Sequence, residues 1–253
     1  MERTAVLARL TWQQATLQAV RPETPTARTL TLAVPGWVGH QPGQHLDLRL
    51  TAAGGYTAQR AYSIGSAPTN DTVELTVELT PGGEVSPFLA QMAHPGVCME
   101  VRGPLGGWFA WSPSETSPVQ LIGGGSGVVP LMSMLRTHRT VGHQTPMRML
   151  YSVRSPDALL FARELTAGHR AGAADQTTVV YSRHAPPGDA RRPGRIDSTD
   201  VATHVLAVED RPLCFVCGPT PFVEGVIGLL LRVGHDPQQI RAERFGAGRT
   251  SSP

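Results

Sequence analysis

Three short stretches hold residues whose types and spacing could handle an anionic ligand. Gly123-Gly124-Gly125-Ser126-Gly127 follows a short apolar run, Val119 to Ile122, and precedes Val128, Leu131, Met132 and Leu135 at helical spacing. A glycine turn between strand and helix lets backbone N–H groups face a phosphate or a ring. It is not the dinucleotide fingerprint, because Val128 stands where the third glycine belongs. Nor is it a nucleophile elbow, which needs glycine two residues after Ser126. Gly82-Gly83-Glu84-Val85-Ser86 precedes a helix-like segment, Ser86 to Met92, and either binds an anion or is a helix start capped by Ser86. Arg60-Ala61-Tyr62-Ser63 ends a strand, where an arginine is a charge-assisted donor or simply a solvated side chain. Each stretch is weak alone.

Other chemistry is excluded. Cys214-x-x-Cys217 has the spacing of a redox disulfide, but it lies in Leu213-Cys214-Phe215-Val216-Cys217, which reads as a buried strand. Residues three apart on a strand point to opposite faces, so the thiols cannot meet. A metal site fails too, with no second cysteine pair and nine histidines without ligand spacing. All 22 basic residues are arginine, which removes Schiff-base chemistry and the P-loop. A net charge of +2 without a basic block argues against nucleic acid. The start lacks a signal-peptide apolar core, and the longest apolar run, Val226 to Leu231, is broken by Gly228. With three cysteines, a reduced cytoplasmic protein without a membrane span is expected.

These residues need elements to position them, and the chain has two rhythms. The 253 residues, 40% apolar and 17% charged, are enough for two domains. From 15 to about 111 the chain alternates, at Thr29 to Val34, His45 to Leu50 and Val73 to Leu79, with Pro35-Gly36, Pro42-Gly43, Gly54-Gly55 and Pro81-Gly82-Gly83 between runs. Period two with frequent turns predicts a closed or nearly closed antiparallel β-barrel. After a polar linker, Trp111 to Pro118, strands at 119–122, 147–153, 177–181 and 212–217 alternate with helices at 158–165, 200–208 and 222–233. That predicts an α/β domain on a parallel sheet. The expected domains are residues 1–113 and 114–253.

Taken in order, Arg60-Ala61-Tyr62-Ser63, Gly83-Glu84-Val85-Ser86, Gly123 to Pro130, Cys217-Gly218-Pro219 and Glu243-Arg244-Phe245 make the chain resemble the ferredoxin–NADP reductase superfamily over roughly residues 15–245. The resemblance implies a flavin-binding barrel followed by a nicotinamide-binding domain, and a flavoprotein oxidoreductase. Arg60 would pair with the flavin phosphate, Tyr62 would stack on the flavin, and Ser63, next to Ala61, would hydrogen-bond near N5. Gly83, Glu84, Val85 and Ser86 would hold a pyrophosphate, favouring FAD over FMN. Gly124, Gly125, Ser126 and Gly127 would receive the nicotinamide dinucleotide. Cys217 would lie beside the nicotinamide, with Gly218 and Pro219 shaping the turn. Glu243 and Phe245 fit the family's terminal acid and aromatic, Phe245 covering the flavin face that the nicotinamide needs. Arg183 and Arg154, with Ser182 and Arg195, would favour NADPH over NADH. Three cysteines cannot ligate a plant-type iron–sulfur cluster, so the resemblance implies a stand-alone reductase without that domain. Its partner would be an electron-accepting protein such as a ferredoxin, a flavodoxin or an oxygenase component. A reductase of free flavin, quinone or chelated iron is the alternative, and a cofactor-free interaction module a more distant one. The segment Gly246 to Pro253, which follows where many members of that superfamily stop, would either hold Phe245 away from the flavin or swing over the site.

Overall fold

The structure is a computed structural model and describes residues 10–167 and 175–245. The alternating runs form strands β2 (Ala27–Ala33), β3 (His45–Thr51) and β5 (Thr72–Glu78). Leu30, Leu32, Leu46, Leu48, Val73, Leu75 and Val77 are buried, as period two requires. With β1 (Gln13–Thr24), β4 (Thr57–Ser63) and β6 (Cys98–Leu105) they make an antiparallel sheet in the order β4-β3-β6-β1-β2-β5. The sheet curls round its core without closing, because its edge strands β4 and β5 meet at one bridge only, Ile64 to Leu75. No residue of β4 is fully buried.

The second half is a parallel sheet of β7 (Val119–Gly124), β8 (Met147–Val153), β9 (Asp175–Tyr181), β10 (Leu213–Pro219) and β11 (Ile240–Phe245) in the order β11-β10-β7-β8-β9. Helix α1 (Val128–Thr140) and α2 (Ala162–Ala167) belong to one face, whose core includes Leu121, Leu131, Leu135, Tyr151, Leu165 and Cys217. Helices α3 (Ser198–His204) and α4 (Thr220–Val233) cover the other, packing Val201, Val205, Val223 and Leu230 on Ile122, Cys214 and Val216. Cys214 and Cys217 therefore sit in opposite cores, as the strand spacing predicts.

Several expected elements come out differently. Ser86 is not a cap. The helical segment runs from Ser86 to Met92 as expected, so Ser86 lies inside it, and Ser86 Oγ accepts from the Thr80 N–H instead. The helix expected at 158–165 breaks, since Phe161 is left-handed (φ 57°) and α2 starts after it. A carboxylate oxygen of Glu23, from the first half, accepts the Phe161 N–H at 3.1 Å, so a tertiary contact overrides helix propensity there. The helix expected at 200–208 begins earlier and ends at His204. Asp197 accepts from the N–H groups of Thr199 and Asp200, and Asp200 accepts from that of Asp197, a reciprocal cap. Strand β11 was not legible at all, because Ile240-Arg241-Ala242-Glu243-Arg244-Phe245 has no fully apolar face. Gly246 to Pro253 lie outside the described residues.

The halves are in contact. Arg241 donates to the carbonyl of Ala110 at 2.7 Å. Ala27, Phe109 and Trp111 join the core under α1. Among the described residues no helix is long and apolar enough to cross a membrane.

Candidate functional site

The first half builds its candidate site on the open edge strand. Register pairs Arg60 with Leu48 and Tyr62 with Leu46, so both side chains share the face of the barrel core. Ser63 and Ala61 lie on the other face, paired with His45 and Asp47. The second anion motif comes to the first. Arg60 Nη2 donates to Glu84 at 2.9 Å, and the Tyr56 hydroxyl donates to the other oxygen of Glu84 at 2.6 Å. Those two partners hold the Glu84 carboxyl below its usual range. Both members of the ion pair are half exposed, 52% and 50%, so an incoming anion could exchange with Glu84 at little cost. Gly82 is left-handed (φ 73°) with open space where a side chain would stand. Val85 belongs to the barrel core, and Ser86 spends its hydroxyl on the loop. Burial pushes the Tyr62 phenol up to about 12, so it stays neutral and presents a ring.

The second half builds its site at the carboxyl end of the parallel sheet. Strand order reverses between β7 and β10, the place where such sheets receive ligands. Cys217 pairs with Gly123 on one side and with Glu243 on the other, while Pro219 pairs with Phe245. Residues some 120 positions apart thus meet in one row. Close packing explains most of the glycines. A side chain at Gly127 would strike the carbonyl of Cys217, and one at Gly124 or Gly218 would strike the Phe222 ring at 2.7 Å. Gly125 differs, being left-handed (φ 56°) and open to space. Close contact is the rule in this turn, and Gly125 alone of its glycines faces open space.

The row sets a buried thiol beside a half-buried carboxyl. Cys217 is 1% exposed, and burial, reinforced by Glu243, pushes its thiol well up. Burial also raises the Glu243 carboxyl. A thiol in that state is no nucleophile at neutral pH, but it can pack against an uncharged ring. Phe245 is 39% exposed, too open for a core residue closing the sheet.

The arginines gather at the ends of β8 and β9. Ser182 donates its N–H to the carbonyl of Val153, and Arg183 to that of Arg154, so both guanidinium groups leave adjacent backbone. Gly194 donates to the carbonyl of Tyr181, which brings Arg195 to the same end. Arg154, Arg183 and Arg195 are exposed. Sequence reasoning missed the residue that arranges this loop. Arg191 makes a bidentate ion pair with Asp200, at 2.6 Å to each oxygen, and donates to the carbonyls of Arg192, Gly194 and Arg195. The signal was available in Asp197-Ser198-Thr199-Asp200, a helix start whose second acid could hold an arginine.

The residues present fit the two implied cofactors. The first half offers an exchangeable arginine, an open glycine and a neutral aromatic ring. The second offers an open glycine at the sheet's switch point, beside the buried thiol of Cys217.

Comparison with known proteins finds a family match in each half. The oxidoreductase FAD-binding domain family matches residues 15–109, and the oxidoreductase NAD-binding domain family matches residues 121–227. The chain is 30% identical over 219 residues to the reductase component of propane 2-monooxygenase from Mycolicibacterium goodii, covering 84% of this chain and 61% of that protein. It is 31% identical over 211 residues to the glycine betaine monooxygenase reductase subunit of Pseudomonas aeruginosa, covering 81% and 56%. The chain therefore spans about three-fifths of the length of these relatives. Among solved structures it resembles the flavohem-like FAD/NAD binding domain of nitric oxide dioxygenase from Vibrio cholerae, with a TM-score of 0.82 at 25% identity, covering 93% of this chain and 99% of that one.

Proposed function

We propose, since the chain belongs to the ferredoxin reductase-like superfamily and carries its FAD-binding and NAD-binding domains, that it takes hydride from NADPH onto bound FAD and passes electrons to a separate acceptor protein. A bound flavin accepts the two electrons of a hydride together and can release them singly, which is the chemistry the cofactor supplies. The chain's own residues do the rest. Arg60 exchanges Glu84 for a flavin phosphate, the Tyr62 ring stacks, and the backbone at Gly82 and Gly83 admits the pyrophosphate. Ser63 lies at the strand end as a hydrogen-bonding neighbour of the reacting edge. Gly125 admits the dinucleotide, while Cys217 and Glu243 line the nicotinamide pocket, the buried thiol in protonated form. Phe245 covers the acceptor face until the nicotinamide displaces it. Arg183 and Arg154, with Arg195 held nearby by Arg191, meet the 2′-phosphate, which favours NADPH over NADH.

One observation carries this proposal: the register that sets Gly123, Cys217 and Glu243 side by side, with Phe245 two residues on, at the switch point of the sheet. The acceptor is proposed to be an oxygenase component or the ferredoxin that serves one, as the names of the relatives suggest for those proteins. A reducing, cytoplasmic setting belongs to the same proposal, and the unpaired state of Cys98, Cys214 and Cys217 supports it. The test is a visible spectrum of the purified chain, followed by anaerobic addition of NADPH with candidate acceptors. Bleaching by NADPH and rapid onward reduction of a ferredoxin or oxygenase component is the expected result. Rapid reduction of free flavin, quinone or chelated iron, with every protein acceptor slow, would replace it by the small-acceptor alternative. A colourless preparation that no flavin reconstitutes would end it.

A further inference from the structure

Helix α1 begins immediately after the glycine turn, and two of its side chains leave their own half of the molecule. Ser133 donates its hydroxyl to the carbonyl of Ser66 at 2.6 Å. Arg136 donates Nη1 to the carbonyl of Gly65 at 2.7 Å and to Glu74 at 2.9 Å. Gly65 and Ser66 are the second and third residues after Ser63, where the chain leaves the Arg60-to-Ser63 strand. The contact is direct as well as polar, because a side chain at Gly65 would come within 3.3 Å of Val129.

Both ends of this connection are rigid. On the flavin side, Ile64 donates its N–H to the carbonyl of Gln44, and Gly65 donates to that of Glu74. The carbonyl of Ser66 also faces Nε2 of His40 at 3.1 Å, and Nδ1 of that ring accepts from the Trp37 indole. That second bond assigns the proton to Nε2, so Ser66 accepts from both halves at once. On the helix side, Arg136 is 14% exposed, donates Nε and Nη2 to Glu164, and lies 5.0 Å above the Phe161 ring. A guanidinium forked between carboxylates, carbonyl and ring cannot turn to another partner without losing most of its bonds.

We propose that Arg136, with Ser133, is a positioning pair that sets the register between the nicotinamide turn and the flavin strand. It acts through backbone: one helix joins the glycine turn to the two residues, and the two residues join the backbone just beyond Ser63. This rests on the proposed function and adds to it the means by which donor and acceptor are kept at reacting distance. Hydride transfer is steep in that distance, and a displacement of about 1 Å can cost roughly a hundredfold in rate. Domain contacts within one chain otherwise permit relative motion.

The test uses the flavin-loaded full chain and four variants: Ser133→Ala, Arg136→Lys, Arg136→Gln and, on the same helix, Arg139→Gln. Arg139 binds Asp175 and Glu164 inside the nucleotide half, and so controls for loss of an ion pair without loss of the connection. Flavin content after gel filtration and the NADP⁺ dissociation constant should stay within about twofold in all four. In Arg136→Gln, kcat with NADPH and ferricyanide should fall about tenfold or more at unchanged KM. The long-wavelength absorbance of a nicotinamide stacked on a flavin, titrated with NADP⁺ against the reduced protein, should weaken in parallel. Ser133→Ala and Arg136→Lys should show smaller losses of both, and Arg139→Gln none. If Arg136→Gln does not fold, those two variants carry the test. Full stacking absorbance with unchanged kcat in the folded Arg136 variants overturns the inference, as does an equal loss in Arg139→Gln. A wild-type protein that holds no flavin, or that NADPH does not reduce, sinks the proposed function first and this with it, and is seen before any variant is made.

Discussion

The two halves build their candidate sites by different means. The barrel half presents side chains on an exposed edge: Arg60, Glu84 and Tyr56 meet in a half-exposed ion-pair cluster. The parallel-sheet half presents backbone. Its glycine turn is pressed against the carbonyl of Cys217, and the neighbouring side chains are buried. An exposed cluster loses affinity when altered and keeps its fold. A close-packed turn loses its geometry first, because interiors transmit strain.

Gly127→Ala should have the largest effect. Its new methyl group meets backbone that cannot rotate away, so the cost should reach about 3 kcal/mol and lower Tm by roughly 6–12 °C. Gly83→Ala, which meets only Ser86 Oγ at 3.0 Å and the Thr80 carbonyl at 3.1 Å, should cost much less. Equal melting curves for the two would erase the distinction between the halves. Arg60→Ala should come next, with flavin retention weakened roughly tenfold or more after gel filtration and an unchanged melting curve for the flavin-free protein. Full flavin occupancy in that variant would remove Arg60 from the site.

Phe245→Ala sharpens the contrast at the place where the halves work together. If the ring competes with the nicotinamide, its loss should tighten NADP⁺ by about tenfold and narrow the preference for NADPH. Its partial exposure predicts little loss of stability. An unchanged NADP⁺ dissociation constant in a folded variant would end its role as a gate.

The smallest effect concerns pH. Burial lowers the pKa of His40, beside the contact between the halves, and of His138, in the last turn of α1. A base whose folded pKa lies below its unfolded value adds stability above the unfolded value, and loses it as pH falls through that value. Tm should therefore drop by roughly 2–4 °C between pH 7.5 and 5.5, partly offset by Glu243, whose raised pKa works in the opposite direction. His40→Asn should flatten the slope. A flat wild-type profile would show that the histidines do not weigh on the interface.

Much of this molecule was legible in its residues. Alternation placed β2, β3 and β5 within two residues, and the spacing of Val128, Leu131, Met132 and Leu135 placed α1. The opposed faces of Cys214 and Cys217 followed from strand geometry alone. The break at Phe161 was hidden, because its cause is a carboxylate 138 residues away. Strand β11 was hidden because its pattern is mixed, and only the open edge of β10 makes it a strand. The roles of Arg136 and Arg191 were hidden for a related reason. In a chain whose 22 basic residues are all arginine, composition cannot separate the few that are held in forks from those that are solvated.

By itself the sequence determined most of the elements and the order of the motifs, since these depend on residue type and on neighbours a few positions away. The tertiary structure decided which motifs meet: Arg60 with Glu84, Cys217 with Gly123 and Glu243, and α1 with the backbone beyond Ser63. Those meetings depend on strand register and on which apolar faces are buried together. Both are set by the whole chain at once, and no local pattern contains them.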